Sequence, residues 1–494
     1  MPLKMQFNTM KIQSYTMKKT SFPLSAVLVF LLVAGAPLLL GANGGCGTDS
    51  DTAGSNSTPK VAAISDFHFN PFDEPGLFEA LRDAEPEEWE SIVESSSQRG
   101  LPDFYEETNH PLLEAALDSA RSAASGAVYV VFPGDILTHH FDDLYFDAAG
   151  FRDGLGLKRF ILKTVKYFIL QVDERFPSAP VLFTLGNNDS YGGNYDLEAG
   201  GDFLADTAQF FLSHFLEGVV DRDEFLRTYK AGGYYAADFG REDLVFLSLN
   251  SVLFSKRRPP PGLPGSDPGF IQLDWLEEQL DKAGSQDRQA VIVTHIPPGA
   301  DAFGTTRAHM APDGTASDMY PMWIPSYQDR FLEIVDEYRE TLRAFYFGHT
   351  HMDEFRLLFN DAHTGAGVPL VSVPAVSPVF GNNPAYKVFL LGERTWRFDD
   401  YRAYALDLDA RQKGFQSFYS FKDVYGMGPP SAASLTRLYG LFFGGSDHLD
   451  LYLDRYYSGS TNSPINAVNR NIYRCAAGRV RDDGFVDCVN QDVP

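Results

Sequence analysis

The chain has 494 residues, enough for a large core, and its 44% hydrophobic and 22% charged content excludes wholesale disorder. A formal net charge of −25 argues against general binding to nucleic acid or to an anionic membrane, both of which need a basic surface. Three cysteines cannot build a disulfide framework or a cysteine-rich zinc module.

The N-terminus reads as an export signal. Lys4, Lys11, Lys18 and Lys19 stand without any acid in residues 1–46, and the run Leu24–Ala36 is apolar or small between Pro23 and Pro37. A start at Met17 would give a compact signal. Cys46 sits where a bacterial lipoprotein carries its acylated cysteine, although Asn43 stands where a lipobox usually has Leu. Plain cleavage nearby is one alternative. An uncleaved anchor is another, since about 20 apolar residues span a bilayer. Each places the rest of the chain outside the cytoplasm, periplasmic or extracellular, with membrane attachment only through the N-terminus. Residues 47–59, rich in Gly, Ser, Thr and Asp, form a flexible linker.

Short apolar runs follow, each predicted as a strand: Val61–Ser65, Ala127–Phe132, Val181–Leu185, Leu244–Leu249, Ala290–Thr294, Ala344–Phe347 and Leu370–Val373. Helical patterns lie between them at Pro111–Ala124, Leu157–Val172 and Ile271–Ala283, with a further apolar stripe through Phe331, Ile334, Val335, Tyr338 and Leu342. The alternation predicts an α/β architecture. Arg257–Gly269, rich in Pro and Gly, predicts an irregular loop. Past residue 400, Phe415–Tyr425, Ala432–Phe443 and His448–Tyr457 predict helices, so the chain divides into a catalytic domain 60–400 and a helical C-terminal subdomain 401–494. Cys475 and Cys488 would pair in an oxidising compartment and staple its polar tail.

The residues that follow the strands carry the chemistry. The first strand leads to Ser65-Asp66-Phe67-His68, the second to Gly134-Asp135, with His139 and His140 beyond. The third leads to Gly186-Asn187-Asn188-Asp189, the fifth to His295, and the sixth to Gly348-His349-Thr350-His351. In open α/β sheets, sites form at the carboxyl ends of strands. Asp66, His68, Asp135, Asn187, His295, His349 and His351 supply three oxygen donors and four imidazoles. That set is too large for one tetrahedral ion and suits two divalent ions sharing a bridging carboxylate. The donor types fit zinc and permit iron or manganese. Glycines 134, 186 and 348 allow the sharp turns this convergence needs.

These ordered blocks resemble the calcineurin-like metallophosphoesterase superfamily: Asp-x-His, Gly-Asp, Gly-Asn, a lone His, then Gly-His-x-His. The chain is more closely similar to acid sphingomyelinase-like phosphodiesterases, through Ser65–His68, Gly134–His139, His295–Gly299, Phe347–Phe355, Phe380–Tyr386 and Tyr425–Tyr457, over roughly residues 60–490. The resemblance implies a two-sheet core flanked by helices, an αββα fold. It implies one ion held by Asp66, His68, Asp135 and His351, and a second by Asp135, Asn187, His295 and His349. It further implies hydrolysis of a small-molecule or lipid phosphoester, by attack of hydroxide held between the ions on phosphorus. His139, four residues after Asp135, matches a histidine this branch keeps near its substrate, with His140 as the alternative. One departure stands out. Asn188 replaces the histidine usual in the superfamily's Gly-Asn-His block, and an amide can donate a hydrogen bond but cannot shuttle a proton. The Asn188 form resembles one found among endopolyphosphatase-like members, so phosphoanhydride hydrolysis is an alternative. A metal-binding surface protein without turnover is another.

Overall fold

A computed structural model describes residues 58–491 other than 264, 361–364 and 411–413. The expected export segment 1–46, Cys46 and nearly all of the linker lie outside the described residues. No helix among the described residues is long and apolar enough to cross a membrane.

The seven predicted apolar runs become strands, and five further strands join them among the described residues. In chain order they are β1 (Lys60–Ala63), β2 (Ala127–Phe132), β3 (Val181–Phe183), β4 (Tyr235–Ala237), β5 (Leu244–Leu249), β6 (Gln289–Thr294), β7 (Leu342–Phe347), β8 (Phe355–Leu358), β9 (Val368–Ser372), β10 (Ala385–Leu391), β11 (Phe398–Ala405) and β12 (Gln416–Ser420). They pair into two six-stranded mixed sheets, ordered β12-β11-β10-β1-β2-β3 and β4-β5-β6-β7-β9-β8. Within the first, β1, β2 and β3 run parallel. Within the second, β5, β6, β7 and β9 do. Parallel strands buried on both faces read as near-continuous Val, Ile and Phe, which is why these runs stood out.

Aromatic contacts join the sheets face to face. Tyr129 on β2 meets Phe246 on β5 with ring centroids 5.1 Å apart, and Tyr346 on β7 meets Phe389 on β10 at 5.1 Å. Helices cover the outer faces. The helix Gly154–Arg175 starts at Asp153, whose side chain accepts from Gly156 N. It packs Phe168 against Phe132 of β2 and against Phe67, at 5.0 and 4.9 Å. The helix Pro325–Glu337 packs Phe331 against Phe345 of β7. The result is the expected helix–sheet–sheet–helix order.

The segment Phe415–Tyr425 departs from its helical expectation. Gln416–Ser420 is strand β12, antiparallel to β11, and only Phe421–Tyr425 is helical. Its burial does not alternate, since Gln416, Ser417 and Phe418 are exposed and Tyr419 and Ser420 buried, so the sequence carries no period-two signal for this edge strand. The first sheet therefore continues through residue 400, because β11 spans Phe398–Ala405 and pairs on both sides. Helices follow at Ala432–Leu441, His448–Tyr456, Arg470–Ala476 and Asp482–Asn490.

A disulfide joins Cys475 to Cys488 and ties the last two helices together. The bridged segment packs on the second sheet, where Leu357 N of β8 donates to Ala477 O at 2.9 Å. Replacing both cysteines by serine is expected to lower stability by about 3 kcal/mol, the loop-closure scale for a ring of this size. A fall in the urea midpoint with unchanged slope would show it, and an unmoved midpoint would contradict it.

Candidate metal centre

The carboxyl ends of β1, β2, β3, β6 and β7 converge, and each delivers part of the candidate set. The turns are unusual. Asp66, His68, Asp135, His349 and His351 all have positive φ, between 47° and 70°. Left-handed backbone is uncommon outside glycine, and five such residues in one site mark stored strain, of order 1–3 kcal/mol each. The surrounding fold holds them there. Phe67, between two candidate ligands, is fully buried against Phe132 and Phe168. Asp66 N donates to Gly134 O and His68 N to Asp135 O, so the first two turns are bonded to each other.

Asp135 is the centre of the group. Its Oδ2 lies 3.4 Å from His68 Nε2 and 3.3 Å from His295 Nε2. On the His68 side, His351 Nε2 is 3.0 Å from His68 Nε2 and 3.6 Å from Asp66 Oδ1. On the His295 side, Asn187 Oδ1 is 3.2 Å from His295 Nε2, and the Asn187 amide is turned away to donate to Asn194. The ligand atoms of Asp66, His68 and His351 form one set lying within 4.8 Å of one another, and those of Asp135, His295 and His349 form a second.

Hydrogen bonds select the tautomers. His68 Nδ1 donates to Leu137 O at 3.1 Å and His295 Nδ1 to Pro133 O at 2.8 Å. Both imidazoles therefore aim Nε2 at Asp135, the arrangement in which a metal-binding histidine is held by its other nitrogen. Burial pushes His68 down to about 3 and holds His351 and His349 well below their usual range, so three of the four rings are neutral, as metal ligation requires. Burial also lowers His295, but the Asp135 carboxylate outweighs it and raises that ring to about 9.

The model of the calcineurin-like phosphoesterase family matches residues 59–353, which contain every one of these side chains. The chain belongs to that family. Within it, the chain falls in the acid sphingomyelinase-like branch, and it is a metal-dependent hydrolase of phosphoric esters. Sphingomyelinase phosphodiesterase D of Dictyostelium discoideum is 24% identical over 424 residues, covering 81% of this chain and 85% of that protein. Human acid sphingomyelinase-like phosphodiesterase 3b is 24% identical, covering 73% of this chain and 75% of that one. A cyclic GMP-AMP phosphodiesterase of Mus musculus is also 24% identical, covering 77% and 81%.

The residues of this family member fit a pair of cations. His68 and His351 face each other Nε2 to Nε2, and His351 Nδ1 is buried without a hydrogen-bond partner. Since His68 carries its proton on Nδ1, its Nε2 presents a lone pair toward His351. An electrophile held by the two Nε2 atoms and the Asp66 carboxylate would fit this arrangement of donors.

Four further residues shape the site. His139 stacks flat on His68, centroids 4.2 Å apart and planes 12° from parallel. Burial pushes its imidazole down, but a hydrogen bond to Glu107 raises it above the usual range. Its neighbour His140 is exposed and precedes the helix Phe141–Ala149. Asn188 is buried, and both its backbone N and its side-chain amide donate to Asp135, at 2.8 and 3.1 Å. Asp189 is fully buried and accepts from the backbone N–H groups of Asp135, Ile136, Leu137 and Gly186, clamping the β2 and β3 turns together. Glu107 and Asp189 escaped the sequence reading. Asp189 had a signal in its place directly after Asn188, whereas Glu107 had none. Past His351, Asp353 pairs with Lys387 at 2.6 Å and Glu354 with Arg356 at 3.3 Å, both pairs buried. Asp353 N also donates to Tyr456 O, so the C-terminal helices brace the loop that carries His349 and His351.

Proposed function

We propose that the protein is an exported phosphodiesterase with two divalent ions, cleaving a phosphodiester bond in a small-molecule or lipid substrate. The observation that carries this reading is the position of Asp135 Oδ2 between His68 and His295. Asp66, His68, Asp135 and His351 would hold one ion, and Asp135, Asn187, His295 and His349 the other. Zinc suits four imidazoles with three oxygen donors. Such a pair, when bound, acidifies water and neutralises charge on the phosphoryl oxygens.

The remaining chemistry belongs to the chain. His139 is part exposed beside the His68 ring, so it can hold a proton for the oxygen that leaves phosphorus. Asn188 keeps Asp135 in place through two donated hydrogen bonds. Phe380 lies against His351 and edge-on to His139, half exposed, and offers an apolar wall to the part of the substrate beyond the phosphate. Export is supported by the basic and apolar N-terminus and by a disulfide, which persists in oxidising compartments. Lipidation at Cys46 belongs to the same reading.

The relatives' names direct the choice of substrates: sphingomyelin for some and a cyclic dinucleotide for others. Purified protein loaded with zinc or manganese should hydrolyse bis-p-nitrophenyl phosphate. A panel of sphingomyelin, glycerophospholipid, cyclic dinucleotide and polyphosphate then separates the substrate classes. Bound metal without turnover on any of them would overturn the reading.

A further inference from the structure

Glu107 lies in no strand or helix and in none of the motifs that build the centre, yet its carboxylate is largely buried beside it, with 13% of the side chain exposed. One oxygen accepts from His139 Nδ1 at 2.7 Å, and the other accepts from Ser377 Oγ at 3.0 Å. Its surroundings are tied to the Asp66–His68 turn from both sides. Asn70 N donates to Thr108 O at 2.8 Å, and Ser377 N donates to Asp66 O at 3.1 Å. A buried carboxylate is costly unless its oxygens are bonded, so its partners here are strongly specified.

The stack on His68 fixes the plane of the His139 ring but not which of its two edges faces Glu107. A half-turn about Cβ–Cγ would preserve the stack while exchanging Nδ1 for a carbon. Only the bond to Glu107 distinguishes the two. A carboxylate can only accept, so the bond also requires the proton on Nδ1.

We propose that Glu107 is a positioning residue that locks His139 with Nδ1–H turned to the carboxylate and Nε2 left for the substrate. This rests on the role given above to His139. As the bond from phosphorus to the leaving oxygen breaks, the proton on Nε2 passes to that oxygen, and Nδ1–H stays on Glu107.

The test is a double-mutant cycle on the metal-loaded full chain, with diphenyl phosphate and bis-p-nitrophenyl phosphate as substrates. Glu107→Ala should lower kcat on diphenyl phosphate by about 10–100-fold, the usual cost of losing such a supporting partner. The loss on bis-p-nitrophenyl phosphate should be smaller, because its leaving phenolate needs less protonation. Glu107→Gln keeps an acceptor and should retain most of the rate. The double variant with His139→Ala should be no slower than His139→Ala alone. In ¹⁵N-histidine spectra, the hydrogen-bonded Nδ1–H signal that vanishes in His139→Ala should shift in Glu107→Ala, because its acceptor is gone. An unmoved signal would overturn the proposal, as would losses that multiply in the double variant, or an equal loss on both substrates. Loss of a metal equivalent in Glu107→Ala would also overturn it and make Glu107 a ligand beside His68 and His139. If His139→Ala alone keeps full kcat on both substrates, the role assigned to His139 fails and this proposal with it, whereas a slow His139→Ala beside a normal Glu107→Ala sinks only the present one.

Discussion

Asp135→Ala is expected to remove both metals and reduce turnover by roughly 10³-fold or more, on the scale of losing a principal transition-state stabiliser. The reason is its shared position. Asp135 Oδ2 is within 3.4 Å of one side of the centre and 3.3 Å of the other. Without it, Asp66 is the one carboxylate left in the ligand set, facing two dications that repel each other strongly in a buried site. Asn188 would lose the acceptor of both its hydrogen bonds. Elemental analysis after dialysis should find less than one equivalent per chain. A variant at the end of one side, Asn187→Ala, should instead keep one ion and lose the other. Two equivalents retained in Asp135→Ala would contradict a shared ligand.

The convergence of the candidate set was legible because its members follow apolar strand runs, and strands in α/β sheets present their carboxyl ends to one crevice. Asp66, Asp135, Asn187, His295 and His349 each follow such a run in the sequence itself. The fold's parallel strands were legible for the same reason. Five strands escaped: β4, β8 and β10, which are largely buried, and β11 and β12, which are partly exposed. β11 and β12 carry mixed aromatic and polar residues on the far edge of the first sheet, and in β12 the two buried residues are adjacent, so no alternation marks it as a strand. Glu107 escaped because its link to His139 spans 32 positions and depends on how two loops meet. The five positive φ angles escaped too, since nothing in an Asp or His residue declares that its backbone will be held left-handed. Where local preference is overridden, the tertiary structure decides, and here it is overridden at the candidate ligands.

Gly186→Ala is expected to disable the centre as thoroughly as losing a ligand, without touching one. A Cβ at residue 186 would stand 2.0 Å from Asp135 Oδ1 and 2.2 Å from Asp135 N. Neither atom can yield cheaply. Asp135 N donates to Asp189 Oδ2 at 2.9 Å, and Asp135 Oδ1 accepts from Asn188 N at 2.8 Å. Gly186 N donates to the same Asp189 carboxylate, so the β3 turn and the β2 turn would have to part together. Overpacking of a rigid site costs about 1–3 kcal/mol in stability. A displacement near 1 Å at a reacting centre costs about 10²-fold in rate. Both should be visible at once, as a lower thermal midpoint, reduced metal content and a kcat down by about two orders of magnitude. Gly154→Ala is the matched control, because a Cβ there meets nothing within 4 Å and it opens the helix Gly154–Arg175. It should leave rate and metal unchanged. If Gly186→Ala retained two ions and normal kcat, the turns would be softer than their hydrogen bonds indicate, and the strain at Asp135 would have no part in holding the metals together.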